Sequence, residues 1–225
     1  MKETTCVIAC SMLRDELECA IAETGCHYPV IWLDAGLHNY PDRLKKELQG
    51  ALDQVQGCQR VLLSYGFCGN SMAGIKAGDF EVILPRADDC ITILLGSQQR
   101  RAELSKQGGT YFLTRAWLHG ERNIRVEYEY TTQKYGLEQG REIFSMMFGN
   151  YKQLALLDDG CYPLEEVAGE VRETAELLNL PCHTVPASNQ RLRDLLTGPW
   201  PSEWFLHLQP GEVLTQERLT REPIP

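Results

Sequence analysis

Residues 61–96, VLLSYGFCGNSMAGIKAGDFEVILPRADDCITILLG, contain two short apolar runs, and each breaks into a turn ending in a cysteine. Val61–Ser64 leaves through Tyr65, Gly66 and Phe67 to Cys68, and Glu81–Pro85 leaves through Arg86, Ala87, Asp88 and Asp89 to Cys90. A short apolar run bounded by turn residues is the pattern of a strand buried on both faces in a parallel sheet. In open α/β sheets, ligands sit beyond the carboxyl ends of the strands, which is where both thiols fall. Two neighbouring strands that deliver thiols to one edge mark that edge as the working face.

The same rhythm extends outward from this stretch. Thr4–Ala9 is a strand candidate with Cys10 at its end, and Ser11 caps a helix over Met12–Thr24 whose first turns carry Asp15 and Glu16. Tyr28–Leu33 is a second strand, and Pro41 with Asp42 suits the start of a helix over Asp42–Gln56. A further helix follows the fourth strand, from Asp89 through Leu104. This βαβαβαβ order predicts an α/β, Rossmann-like fold with mainly parallel sheet and helices on both faces.

Beyond residue 105 the pattern shifts. Gly109–Thr114 has strand composition, Asn123–Tyr130 is charged and aromatic, and a helix is expected over Lys134–Asn150. Strands at Gln153–Leu157, His183–Val185 and Trp204–Leu208 then alternate with helices at Pro163–Leu178 and Asn189–Leu196. Two lobes are expected: 1–108, carrying most of the cysteines, and 134–225, joined by 109–133. The tail Thr215–Pro225 reads as a polar, proline-tipped arm over the surface.

The 225 residues are 43% hydrophobic and 24% charged, an ordinary globular balance, with a net charge of −9 that disfavours nucleic acid and anionic membrane as partners. The amino terminus lacks a signal-peptide core and no stretch reaches the length of a membrane span, so a cytoplasmic protein is expected. In that compartment nine cysteines, an odd number without regular spacing, point to metal ligands, nucleophiles or buried thiols rather than disulfides. No GxGxxG follows the first strand and no P-loop is present, so nucleotide-phosphate binding has no motif behind it.

Four cysteines fall just past predicted strands: Cys10, Cys68, Cys90 and, in the second lobe, Cys161. Strands of one parallel sheet share an exit edge, so residues distant in sequence meet there. Cys19, Cys26, Cys58 and Cys182 fall in helices or ahead of strands, and Cys6 lies inside the first strand as packing. A single cysteine at a strand end is ordinarily a small buried hydrophobe, and it is the joint placement that argues for chemistry. Asp88 and Asp89 precede Cys90, and Asp158 and Asp159 precede Cys161. Carboxylates disfavour a free thiolate, so a metal cation or cationic cluster would supply the missing positive charge, or Arg86 would offset part of it, and soft thiolates select zinc, copper(I) or iron–sulfur clusters.

Cys10, Cys68 and Cys90 could hold three corners of a four-iron cluster, or, with His38, a zinc ion. Cys161 or His38 is the optional fourth ligand. Asp34 and Asp88 are candidates to orient His38 or an arginine. Gly66, Gly69 and Asn70 let backbone approach a small-molecule substrate, and Tyr65, Thr114, Arg115 and Trp117 are candidates for a polar lining. His27, His119, His183 and His207 lack supporting context. Two other readings stay open: a metal-free enzyme with a cysteine nucleophile between the lobes, and a non-catalytic small-molecule-binding or assembly subunit.

The ordered segments IAC at 8–10, LDAGLHNYP at 33–41, YGFCGN at 65–70, LPRADDCITILLG at 84–96, GTYFLTRAW at 109–117 and YKQLALLDDGCY at 151–162 resemble a bacterial and archaeal family of unknown function. The likeness runs from about Cys6 to Gly211. Ala116 departs from it, standing where the family's LTxGW segment has glycine. That family is rich in anaerobes and often encoded near corrinoid-dependent methyltransferases. The resemblance therefore implies a role in corrinoid or one-carbon metabolism, as a redox accessory or methyl-transfer component, with a corrinoid protein or methyltransferase as partner and a corrinoid reached through it.

Overall fold

β1 (Thr5–Cys10) is buried at every position, the signature of a central strand, and it pairs in parallel with β2 (Val30–Leu33) and β3 (Arg60–Ser64). β3 in turn pairs in parallel with β4 (Glu81–Pro85), completing the four strands expected from the sequence. The computed structural model describes residues 4–106, 108–120 and 123–220. By internal contacts the chain divides into two compact units, Met1–Gln98 with Asn189–Pro225, and Gln99–Ser188.

The first unit's sheet has the order β2-β1-β3-β4-β8. α1 (Arg14–Thr24) lies beside α9 (Gln190–Thr197), which also meets β3 and β4. α2 (Pro41–Gln54) buries Leu44, Leu48 and Leu52, spaced one turn apart, and starts with proline at a position where a missing N–H costs nothing. α3 (Cys90–Leu95) begins where Asp89 Oδ1 accepts from the Thr92 amide at 2.8 Å and from Thr92 Oγ1 at 2.9 Å. It stops at Gly96, whose φ of 81° is left-handed. The helix expected over 89–104 is therefore two, the second being α4 (Gln98–Leu104).

The second unit holds a parallel sheet in the order β5-β6-β7, made of Gly109–Leu113, Tyr151–Asp158 and Cys182–Pro186. Its core gathers Leu113, Leu118, Leu154, Leu156, Tyr162 and Val167. α5 (Arg115–His119), α6 (Ile124–Tyr135) and α7 (Leu137–Phe148) lie between β5 and β6 in the chain, and α8 (Ala168–Leu178) links β6 to β7. The charged, aromatic stretch after 123 is helical because Asn123 Oδ1 caps it, accepting from the Arg125 and Val126 amides at 3.0 and 3.1 Å. The single helix expected over 134–150 is broken at Gly136, which has a φ of 86°.

The carboxyl-terminal strand is the largest departure from the sequence reading. β8 (Phe205–Leu208) does not extend the second sheet; it pairs antiparallel with β4, with Ile83 opposite His207 and Leu84 opposite Leu206. The sequence pattern carries strand length and apolarity, not the identity of the partner. Of the tail, α10 (Gln216–Thr220) is helical and Leu219 is buried, while residues 221–225 lie outside the described region.

Candidate functional site

Three adjacent parallel strands of the first unit end at one edge, and each exit carries a cysteine. Cys10 is the last residue of β1 and only 8% exposed; it precedes a short 3-10 turn over Ser11–Leu13. The exits of β3 and β4 are stitched to each other: the Phe67 amide donates to Ala87 O and the Cys68 amide to Asp88 O, both at 2.8 Å. Gly66 is what allows this approach. A Cβ there would stand 2.5 Å from Asp89 Cα and 2.7 Å from Asp89 N, so no larger residue fits without parting the two loops.

Beyond Gly66 the backbone is strained. Cys68, Gly69 and Asn70 have φ values of 44°, 65° and 69° in succession. Two of the three carry side chains, and left-handed backbone is costly for them unless the surroundings fix it. Ser71 Oγ helps by donating to Cys68 O at 2.9 Å. The strain falls on one of the thiol-bearing positions. Of the residues expected to let backbone approach a ligand, Gly66 is taken up by packing on Asp89, while Gly69 and Asn70 form the left-handed run.

The three thiols influence one another. Burial pushes Cys10 up to about 11, with the Asp34 carboxylate adding to the shift and the Met12 backbone and Tyr65 hydroxyl opposing it. Burial, then Cys10, then Asp89 push Cys68 up to about 12. Cys90 is raised furthest, by burial and then by Cys10, Cys68, Asp89 and Glu16. All three are therefore neutral thiols near neutral pH, packed in a region where negative charge is disfavoured.

Two buried groups share this neighbourhood. Tyr65 is 1% exposed, and its hydroxyl faces the Cys10 thiol without a hydrogen bond of regular geometry to any described residue. Burial and the nearby Cys10 and Cys68 hold the phenol strongly protonated. Glu16, on α1, is 0% exposed and lies close enough to Cys90 to raise it. In the sequence Glu16 reads only as a first-turn acid. Its burial was recoverable from spacing, since Leu13, Glu16, Leu17 and Ala20 share one helix face and the other three are also 0% exposed.

Among the described residues, no group of three or more His, Cys, Asp or Glu side chains is drawn together closely enough to hold a metal. The trio is thus a cluster of neighbouring thiols and not a closed coordination sphere. His38 follows β2, and its Nδ1 is engaged with Ala35 O. Asp34 accepts from the Gly36 amide at 2.7 Å, capping the turn that carries His38, and Asp88 Oδ2 accepts from Gln98 Nε2.

Cys161 belongs to the second unit. Its amide donates to Asp159 Oδ1 at 2.9 Å, and its side chain packs against the core there. In the same unit Thr114 caps α5, and the Arg115 amide donates to Tyr162 Oη at 2.9 Å. The Arg115 guanidinium pairs with Glu166 at 2.8 Å, and Trp117 meets Tyr111 edge-on.

The remaining cysteines lie elsewhere. Cys6 and Cys58 are neighbours at the amino edge of the first sheet, where burial and Cys58 push Cys6 up to about 12. Cys19 touches Glu23 on α1, Cys26 follows α1, and Cys182 is exposed at the start of β7. All nine cysteines are free. His207 is structural, with its two ring nitrogens against Glu81 Oε1 at 3.1 Å and Trp200 O at 2.8 Å.

Among the described residues no helix is long and apolar enough to cross a membrane. Comparison with known proteins places these features in a family: the model described as "Protein of unknown function (DUF1638)" matches residues 32–196, and the chain belongs to that family. The matched span includes His38, Cys68, Cys90 and Cys161 and begins after Cys10. No curated protein and no solved structure matched the chain.

Proposed function

We propose that this member of the DUF1638 family carries a soft metal centre, zinc or an iron–sulfur cluster, on Cys10, Cys68 and Cys90. The observation that carries the reading is that adjacent parallel strands β1, β3 and β4 deliver Cys10, Cys68 and Cys90 to one edge, near enough for the thiols to raise one another. The buried Tyr65 hydroxyl adds support, since among the described residues it has only the Cys10 thiol beside it and no hydrogen bond of regular geometry. The donor set fits the group in chemistry, being soft and sulfur-rich, whereas its spacing would have to tighten on binding. A fourth position is left for His38 or an external ligand.

Bound there, zinc would supply Lewis acidity and a cluster would supply electrons. The chain's own residues have distinct tasks. The three thiols give up their protons when the metal binds, so loading is favoured as pH rises. Tyr65 Oη, held protonated beside Cys10, would be available to donate a hydrogen bond to that sulfur. The strained Cys68–Asn70 turn and the Gly66–Asp89 contact hold the backbones that carry Cys68 and Cys90 against each other, so any tightening of the donor set falls to the side chains. A free cysteine nucleophile is disfavoured at this edge, because burial and acidic neighbours hold each thiol protonated.

The resemblance to proteins encoded near corrinoid methyltransferases supports a role beside a corrinoid protein or methyltransferase, as an electron donor or a thiol-activating methyl-transfer component. Metal, iron and acid-labile sulfide analysis of anaerobically purified protein, with its visible spectrum, tests the reading. A colourless protein with one zinc, or a brown one with iron and sulfide, supports it. A metal-free protein that takes up neither after anaerobic reconstitution contradicts it.

A further inference from the structure

The second unit contains a cavity of about 690 Å³ at the amino ends of β6 and β7, opposite the edge at which Cys161 leaves β6. Such a volume lies in the range of small-molecule sites, roughly 300–1,000 Å³. Its floor is aromatic. Phe144 and Phe148 stack at 5.8 Å between ring centroids, Tyr151 lies 5.4 Å from Phe148, and Tyr128 meets Phe144 edge-on at 5.0 Å. The last turn of α8 and Pro181 close one side.

The floor follows from the local fold. Gly140 lets α7 press against α6, since a Cβ there would come within 2.6 Å of Thr132 Cγ2, and this close approach turns Phe144 and Phe148 inward. Gly149 and Asn150 then bring Tyr151 and Lys152 directly into β6. Aromatic rings are thus collected by one helix end and one strand start, with no long loop between them.

The mouth carries two cations. Arg141 uses Nε against Tyr128 Oη at 3.4 Å, and among the described residues neither its guanidinium nor the Lys152 ammonium has a carboxylate partner. Both are exposed, and both line the cavity. Glu176 lines it too, so the mouth carries one positive charge in excess within a chain whose net charge is −9. The carbonyl end of α8 and Glu176 make that side unfavourable to an anion, leaving the Arg141 and Lys152 side to receive one.

We infer that this cavity is a binding site for a small organic anion with a planar apolar body, the body lying against Tyr128 and Tyr151, which the buried Phe144 and Phe148 back, and the acid group pairing with Arg141 and Lys152. The site is independent of the thiol cluster, which lies in the other unit. Its ligand is an amphiphilic carboxylate, sulfonate or phosphate, and not a nucleic acid or an inorganic ion, because the aromatic floor would contribute nothing to the latter.

Fluorescence titration of the full chain with 8-anilinonaphthalene-1-sulfonate, an anionic naphthalene probe, tests this. Saturable binding of one probe per chain is expected, weakened at least tenfold in Arg141→Ala/Lys152→Ala and retained within threefold in Arg141→Lys. The neutral analogue N-phenyl-1-naphthylamine should bind at least tenfold more weakly than the anion. Met146→Ala/Met147→Ala, which alters exposed side chains that do not line the cavity, should bind as the parent does. No saturable binding, equal affinity for the neutral probe, or an effect of the methionine pair larger than that of the cation pair would overturn the assignment. Circular dichroism melts of the same variants establish that they are folded, as substitutions at exposed positions should leave them.

Discussion

At the exit of β6, Cys161 and Asp159 turn back on each other, and Arg115 closes over the neighbouring strand end through Tyr162 and Glu166. At the exits of β1, β3 and β4 the chain brings three thiols together and buries the Tyr65 hydroxyl beside Cys10, with no hydrogen bond of regular geometry among the described residues. Both edges are carboxyl edges of parallel strands, and both carry a cysteine preceded by acids. Each also buries a polar atom without a regular hydrogen bond among the described residues, Asp159 Oδ2 at one and Tyr65 Oη at the other, so what separates them is charge. Near the β6 exit the chain supplies its own cation, Arg115, paired with Glu166 and held by Tyr162. At the thiol edge burial and carboxylates raise three neighbouring thiols together and no cation lowers any of them, which is the gap the proposed metal would fill.

The largest expected effect tests the close approach that builds the thiol edge. Gly66→Ala places a Cβ against Asp89 backbone and should cost about 3 kcal/mol or more in urea denaturation. Gly160→Ala, at the other edge, has a φ of +76° but nothing within 4 Å, so only its left-handed backbone matters, at about 1–2 kcal/mol. Equal losses would remove the distinction between a packed and an open exit.

The amino-edge pair sharpens the comparison through pH. Cys6 is raised to about 12 by burial and Cys58, so folding favours its protonated form. The resulting stability is fully present below the unfolded thiol value, about 8.5, and is lost as pH climbs toward the folded value. In Cys6→Ala the decline of stability between those limits should be shallower by up to about 1.4 kcal/mol per pH unit, one proton's worth. An unchanged slope would mean that the fold does not hold this thiol protonated.

The smallest effect contrasts two buried tyrosines. Tyr162→Phe removes the acceptor of the Arg115 amide and should cost about 1 kcal/mol. Tyr65→Phe removes a hydroxyl without a regular partner, so the metal-free protein should change by less than about 0.5 kcal/mol or gain stability. A loss at Tyr65 as large as that at Tyr162 would indicate that its hydroxyl is satisfied within the chain.

Much of the first unit was legible in its sequence because β1, β3 and β4 are apolar runs with sharp ends. Period, length and turn chemistry mark such strands directly. The breaks at Gly96 and Gly136 were missed because a glycine inside a helical pattern reads equally as tolerated or terminal until its φ is known. The return of β8 to β4 was missed for a different reason: pairing is decided by tertiary contact. At the site, alignment at one edge was readable from strand exits, as was the separation of Cys6, Cys19 and Cys58 from it. Glu16 was overlooked because its first-turn position offered a sufficient local explanation, although its face pointed inward.

Metal and acid-labile sulfide per chain, measured on anaerobically prepared parent, Cys68→Ser and Cys19→Ser proteins, test the central claim most directly. Serine changes shape little but is a poor ligand for a soft metal. The account predicts one centre per chain in the parent, retained in Cys19→Ser, whose thiol touches Glu23, and largely lost in Cys68→Ser. The same metal content in all three proteins would contradict it.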